Sequence, residues 1–223
     1  MKKVILWIIA VILFVVILLG GNLILFERQG LMVSQGTPIK KYDVETPALL
    51  VIDVQEYTTG KLSTDTCYTA ASDNYIRLLN RIIDTARLKN IPVVYVKSVV
   101  SDFLINLINN SLKPDSPGAA FDKRLNLVSD YIVSKQREDA FSNPRLDSIL
   151  ISKQVSKLYV IGLDAAHCVK STMKAAQNRG YKISVINDAV LSKSDSLKTS
   201  MLVEYRAWNI DIINSAEFFS SSK

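Results

Sequence analysis

LYVIGLDAAHCV, residues 158–169, decides how the rest of the chain is read. An apolar, β-type run ends at Gly162, and six residues later Cys168 opens an Ala/Lys/Met-rich pattern of helical character. A thiol therefore sits where a strand hands over to a helix. Unpaired N–H groups and partial positive charge at a helix start favour a thiolate and can hold an oxyanion. A cysteine in that position is also compatible with plain packing, since free Cys is among the most buried residue types. The stretch alone leaves both readings open.

The same alternation extends in both directions. ALLVI at 48–52 is a continuous apolar run ending at Asp53, as suits a strand buried on both faces of a parallel sheet. A helical pattern over 70–89 repeats Tyr75, Leu78, Leu79, Ile82, Ile83 and Ala86 on one face. Asn90, Ile91 and Pro92 break it before a second apolar run at 93–96. Residues 102–127 are irregular and contain Pro114, Pro117 and Gly118, the composition of a lid or substrate loop. A short strand over 130–134 ends at Lys135. A helix around 144–154, the strand 158–161, a helix over 167–179 stopped by Gly180, a strand at 182–186, a helix at 194–207 and a strand at 210–213 follow. Strands alternating with helices predict an α/β fold. The expected architecture is a Rossmann-like open, mostly parallel six-stranded sheet with helices on both faces. Ligands of such sheets bind beyond the carboxyl ends of the strands, which is where Asp53, Lys135 and Cys168 all fall.

Ahead of this domain stands a basic start, with Lys2 and Lys3, and then residues 4–26 without a charged side chain. As a helix these 23 residues would span roughly 34 Å, enough for a bilayer's hydrocarbon core. The stretch is longer than the 7 to 15 or so apolar residues of a signal peptide and lacks an A-x-A-like end. It reads as an N-terminal transmembrane helix. The domain plan is thus an anchor at 1–26, a polar tether at 27–45 with Gly30, Gly36 and Pro38, one globular domain at 46–219, and a Ser-rich tail at 220–223. Basic residues flank both ends of the anchor, so their count does not orient it. The short tail beside a long following domain resembles an export signal and favours an extracytoplasmic domain.

The 223 residues carry a formal charge of +6, two units of which belong to Lys2 and Lys3, leaving +4 spread over scattered lysines and arginines. Without clustering or a recognition motif this is a solvated basic surface, and no nucleic-acid partner is expected. The two cysteines, Cys67 and Cys168, make no disulfide framework, and there is no CxxC or HxxxH.

Three segments together carry a family resemblance: LLVIDVQ at 49–55, VSKQREDAF at 133–141 and VIGLDAAHCVKSTMKAAQNRGYKISVINDA at 160–189. In order and spacing they resemble the isochorismatase-like cysteine hydrolases, which include nicotinamidases and N-carbamoylsarcosine amidohydrolase, over nearly all of residues 47–219. The resemblance implies a triad in which Cys168 attacks a carbonyl carbon, Asp53 moves the proton and Lys135 holds both electrostatically. It also implies a cis peptide between Leu163 and Asp164, and an oxyanion hole from the backbone N–H groups of Asp164 and Cys168. Gln55 and Phe141 become candidate substrate contacts, and relatives that form dimers or tetramers leave a homo-oligomer open.

Two departures refine this. Nicotinamidases of the family hold a metal with an Asp and several His residues, but this chain has one histidine, His167, which reads as a structural or pocket-edge residue. No metal and no other cofactor are expected. Isochorismatases proper typically lack the cysteine, so Cys168 points to carbon–nitrogen hydrolysis. An acidic Asp164, where relatives often carry small or hydroxylated residues, would repel anionic substrates or bind a cationic one. The expectation is a membrane-anchored, metal-independent cysteine hydrolase of a small amide or ureide. The alternative is a non-catalytic module that binds a small ligand or partner at the membrane.

Overall fold

The computed structural model describes residues 2–220; Met1 and residues 221–223, most of the expected Ser-rich tail, lie outside the described residues. In chain order the elements are α1 (Lys2–Gly30), β1 (Pro47–Ile52), α2 (Thr66–Thr69), α3 (Ser72–Leu88), β2 (Val93–Ser98), α4 (Phe103–Ile108), β3 (Ile132–Lys135), α5 (Pro144–Ser152), β4 (Lys157–Gly162), α6 (Cys168–Asn178), β5 (Lys182–Val190), α7 (Asp195–Ala207), β6 (Asp211–Ile213) and α8 (Ser215–Ser220).

The six strands form one sheet in the order β3-β2-β1-β4-β5-β6, and every neighbouring pair is parallel. Parallel strands covered on both faces need apolar side chains on both, and β1 supplies them without alternation. Leu49 and Val51 face a layer with Tyr75, Ile76, Leu79, Ile82 and Ile83 of α3 and Phe218 of α8. Leu50 and Ile52 face the opposite layer, with Leu146 and Leu150 of α5, Val169 and Met173 of α6 and Tyr205 of α7. Leu49, Leu50, Val51 and Ile52 are all fully buried. This is the three-layer α/β arrangement expected from the sequence.

Local chemistry sets where the elements stop. Asn143 caps α5 by accepting from Arg145 N, with Pro144 supplying a preset φ in the first turn. Ser194 caps α7 by accepting from Leu197 N at 3.1 Å. Gly162 ends β4 with φ +119, and a Cβ there would lie 2.1 Å from the Ile52 carbonyl oxygen, so only glycine lets β4 run this close to β1.

The amino-terminal segment differs from expectation at its end. Helix α1 continues past Phe26 through Glu27, Arg28 and Gln29 to Gly30, because those residues are good helix formers and nothing before Gly30 interrupts them. The first residues read as tether are therefore helical. The rest, without regular structure, still holds to the domain. Ser34 N donates to Asp139 Oδ2 at 2.8 Å, Ile39 N donates to the Arg179 carbonyl at 2.8 Å, and Val33 and Ile39 pack against the core. Residues 102–127, expected to be irregular throughout, contain the helix α4, capped by Asp102.

Candidate active site

Three strand ends converge on one point. Asp53 follows β1 in the left-handed region, φ +55, which Asp tolerates better than most side chains. Lys135 is the last residue of β3, and Cys168 is the first residue of α6, after the loop that leaves β4. Lys135 Nζ lies 2.9 Å from Asp53 Oδ2 and 3.0 Å from Cys168 Sγ, and donates to Ser98 Oγ at 2.7 Å. All three ammonium donors are thereby engaged. Lys135 is 1% exposed and Asp53 4%, so the ion pair is held almost entirely out of water.

The electrostatics follow from that burial. It opposes the Lys135 charge, but the Asp53 carboxylate and the Cys168 sulfur outweigh it and hold the ammonium well above the ordinary lysine pKa. Burial also pushes the Cys168 thiol up, Asp53 adds to this, and Lys135 opposes it without prevailing. Burial thus favours the protonated thiol beside the Lys135–Asp53 ion pair. Asp53 Oδ1 is buried and accepts no hydrogen bond, which leaves one carboxylate oxygen free to take a proton.

The loop from β4 to α6 is fixed by buried hydrogen bonds. The Leu163–Asp164 peptide is cis. The Asp164 carboxylate accepts from Tyr68 Oη at 2.8 Å, from Ala166 N at 2.6 Å and from Ser192 Oγ at 3.2 Å, and Tyr205 Oη donates to the Ala165 carbonyl. The backbone N–H groups of Asp164 and Cys168 donate to no other group among the described residues.

A cavity of about 310 Å³ opens at Cys168. Lys135, Ser98, Val99, Val100, Leu112, Glu138 and His167 contribute to its walls, together with Phe26, Glu27, Gly30 and Leu31 from the end of α1 and just beyond. Glu138 ties these parts together. Its N–H donates to the Gly30 carbonyl at 2.9 Å, Oε1 lies 2.9 Å from His167 Nδ1, and Oε2 accepts from Ser171 Oγ at 2.8 Å.

The sheet, the lysine-centred triple contact and the cavity invite comparison with known proteins. A family model described as "Isochorismatase domain" matches residues 47–217. The chain belongs to the isochorismatase family. It is 26% identical over 149 residues to an N-carbamoylsarcosine amidase from an Arthrobacter species, covering 61% of this chain but only 56% of that amidase. The solved structure of an N-carbamoylsarcosine amidase from Thermoplasma acidophilum superposes with a TM-score of 0.62 at 28% identity, over 76% of this chain and 96% of that one. An isochorismatase-like hydrolase from Alkaliphilus metalliredigens, at 21% identity and a TM-score of 0.68 over 78% and 97% of the two chains, shares the fold. The chain is accordingly an isochorismatase-family hydrolase with amidase homologues.

Within this family site, several sequence expectations meet different geometry. Gln55 does not line the cavity: its Nε2 donates to the Ser98 and Ala119 carbonyls at 3.0 and 3.1 Å, and its Oε1 accepts from Ser98 N at 2.8 Å. It bolts the loop after β1 to the end of β2. Phe141 is 3% exposed and packs on Tyr181, with the Arg179 guanidinium 4.4 Å over its ring, so it belongs to the core. The Asp164 carboxylate is taken up by hydrogen bonds from Tyr68, Ala166 and Ser192 and does not line the cavity. His167 does stand at the cavity edge, paired with Glu138. Ser98 and Glu138 went unnoticed. Ser98 ends β2 but lies two residues past the apolar run at 93–96, out of reach of the strand-end rule that singles out Asp53 and Lys135, and Glu138 lies within VSKQREDAF with nothing in the sequence to mark its role. Among the described residues, no three His, Cys, Asp or Glu side chains gather as metal ligands.

Proposed function

We propose that this hydrolase cleaves the carbon–nitrogen bond of a small amide or ureide with Cys168 as nucleophile, and that α1 anchors it in a membrane with the domain outside the cytoplasm. The observation that carries the reading is Lys135 Nζ, within 3.0 Å of both the Asp53 carboxylate and the Cys168 sulfur, with Lys135 and Cys168 lining one cavity.

The resting thiol passes its proton to the free Oδ1 of Asp53 as sulfur attacks the carbonyl carbon. A cation beside the sulfur then stabilises charge that develops only on attack, and Lys135 is already in place without reorganisation. The carbonyl oxygen becomes an oxyanion facing the N–H groups of Asp164 and Cys168. The C–N bond breaks, the amine leaves with the proton held on Asp53, and an acyl thioester remains on Cys168. Water, deprotonated by Asp53, attacks the thioester; the acid departs and the proton returns to sulfur. Neither metal nor redox partner enters any step.

The test is a panel of amides, N-carbamoyl compounds and ureides, with the full chain in lipid nanodiscs. Cys168→Ala abolishes turnover of whichever compound the native chain hydrolyses, while the native chain quenched in acid carries an acyl mass on the peptide that contains Cys168. Turnover by the Cys168→Ala chain would overturn the mechanism.

A further inference from the structure

Helix α4 is apolar, short and almost uncovered. It reads FLINLI without a charge, none of its residues is buried, and Phe103, Leu107 and Ile108 are 77%, 73% and 76% exposed. Monomeric surfaces rarely leave such residues contiguous in water, and where they do the patch marks a partner or a membrane. The level at which this patch sits distinguishes the two. Asp102, whose Oδ1 caps α4 by accepting from Ile105 N at 2.9 Å, uses its other oxygen to accept from Asn22 Nδ2 of α1 at 3.3 Å. Asn22 lies four residues inside the carboxyl end of the uncharged stretch 4–26, about 6 Å along the helix axis at 1.5 Å per residue. The start of α4 is therefore level with the last turn of the apolar span. Arg28, two residues beyond Phe26, follows at the height of the headgroups.

We propose that α4 is seated in the lipid leaflet from which α1 emerges, with Phe103, Leu107 and Ile108 at the boundary between headgroups and acyl chains. This rests on the reading of α1 as a membrane span. Amphipathic segments of this kind bury their apolar face about 5 to 10 Å deep, which agrees with the level set by Asn22. The chain then holds the leaflet at two places, α1 and α4, and the domain cannot swing freely about its tether. The cavity at Cys168, walled by Phe26, Glu27, Gly30 and Leu31, faces the same surface, so its mouth opens at the headgroup layer.

Depth-dependent quenching tests the seating without reading activity, so its outcome is independent of the hydrolase mechanism. The full chain is placed in phosphatidylcholine nanodiscs with and without lipid carrying a nitroxide at carbon 5 of the acyl chain. Three single-tryptophan chains are compared: Trp208→Phe, which keeps native Trp7 in α1, and two chains that carry Phe103→Trp or Leu88→Trp on a Trp7→Phe and Trp208→Phe background. Leu88 is 74% exposed and closes α3 just before β2, at the end of the sheet opposite the cavity, so it reports on water. The Phe103→Trp chain should lose about half its emission to the nitroxide lipid and resist aqueous iodide, as expected at interfacial depth, while the Leu88→Trp chain does the reverse. If Trp7 is quenched by the lipid but the Phe103→Trp indole behaves like the Leu88→Trp indole, the anchor stands and the seating of α4 is overturned. If Trp7 also escapes the lipid, the span and the seating fall together.

Discussion

The strand ends and the α1–α4 face break the burial preferences of side chains in opposite senses. At the strand ends, Asp53 and Lys135 are 4% and 1% exposed, although carboxylates and ammonium groups are rarely buried at all. On α4, Phe103 and Ile108 are more than three-quarters exposed, while Leu50 and Ile52 a short way along the chain are fully buried. One cavity is lined both by Lys135 and Cys168 and by Phe26 and Leu31 at the end of α1 and just beyond. The pairing teaches that a departure from the burial rule needs a named compensation. For the ions it is each other; for the apolar face it is the lipid proposed above. The central strands β1 and β2 follow the rule, with Leu49, Leu50, Val51, Ile52, Val94 and Val96 fully buried.

The sharpest way to break the comparison is to remove one ion. Lys135→Ala leaves the Asp53 carboxylate buried beside a sulfur with no cation, and removing one partner of a buried pair costs about 3 to 5 kcal/mol. Urea unfolding of the full chain in nanodiscs measures it. In whatever fraction stays folded, alkylation of Cys168 should move to higher pH, because Lys135 is the group that opposes the rise of the thiol pKa. A cost below about 1 kcal/mol would put the pair in the range of exposed salt bridges and undo the contrast.

A smaller effect separates the charge of Asp164 from the charges in the cavity. Tyr68→Phe removes one of three hydrogen bonds to the Asp164 carboxylate while leaving the ring in place. Hydrogen bonds to charged groups contribute about 1.5 to 3 kcal/mol, so stability should fall by that much. Because the Asp164 carboxylate is engaged by Tyr68, Ala166 and Ser192 away from the cavity wall, the preference among cationic, neutral and anionic substrates should stay unchanged in Asp164→Asn. A reversal of that preference would return the carboxylate to the cavity and add a third buried charge there.

The sheet was legible because a parallel strand buried on both faces must be a continuous apolar run, and ALLVI at 48–52 and VVYV at 93–96 admit no other period. The rim was legible for the same reason: the last residue of such a run, or the one after it, is at the carboxyl edge, which places Asp53 and Lys135. What the sequence does not encode locally is side-chain direction once the chain leaves the strand. Gln55 and Phe141 stand close to rim residues in sequence, but one turns under the loop and the other into the core. Asp164 turns towards Tyr68, 96 residues away. Helix α4 escaped for a different reason: six residues with five large apolar side chains have no distinguishable period, and their surroundings of Ser, Asp and Asn read as loop. Its meaning comes only from the hydrogen bond between Asn22 and Asp102, a contact across 80 residues.

The smallest effect is a slope with pH, and it tests whether the thiol is protonated beside the ion pair. Cys168 has a folded pKa above that of an unfolded thiol, about 8.5, so above that pH the unfolded chain releases the proton while the folded chain keeps it. Its contribution to stability is complete below about pH 8.5 and is lost as pH rises towards the folded pKa, at no more than about 1.4 kcal/mol per pH unit. Lys135 has a raised folded pKa as well, but an unfolded lysine titrates only near 10.4, so between about pH 8.5 and 10 the thiol dominates this pair. The native chain should therefore lose stability across that window more steeply than Cys168→Ala, the exposed Cys67 being common to both. Parallel slopes for the two chains would mean that the folded thiol ionises no later than an unfolded one. Lys135 would then offset the burial of the sulfur, and the rise of the thiol pKa on which the resting proton rests would be undone.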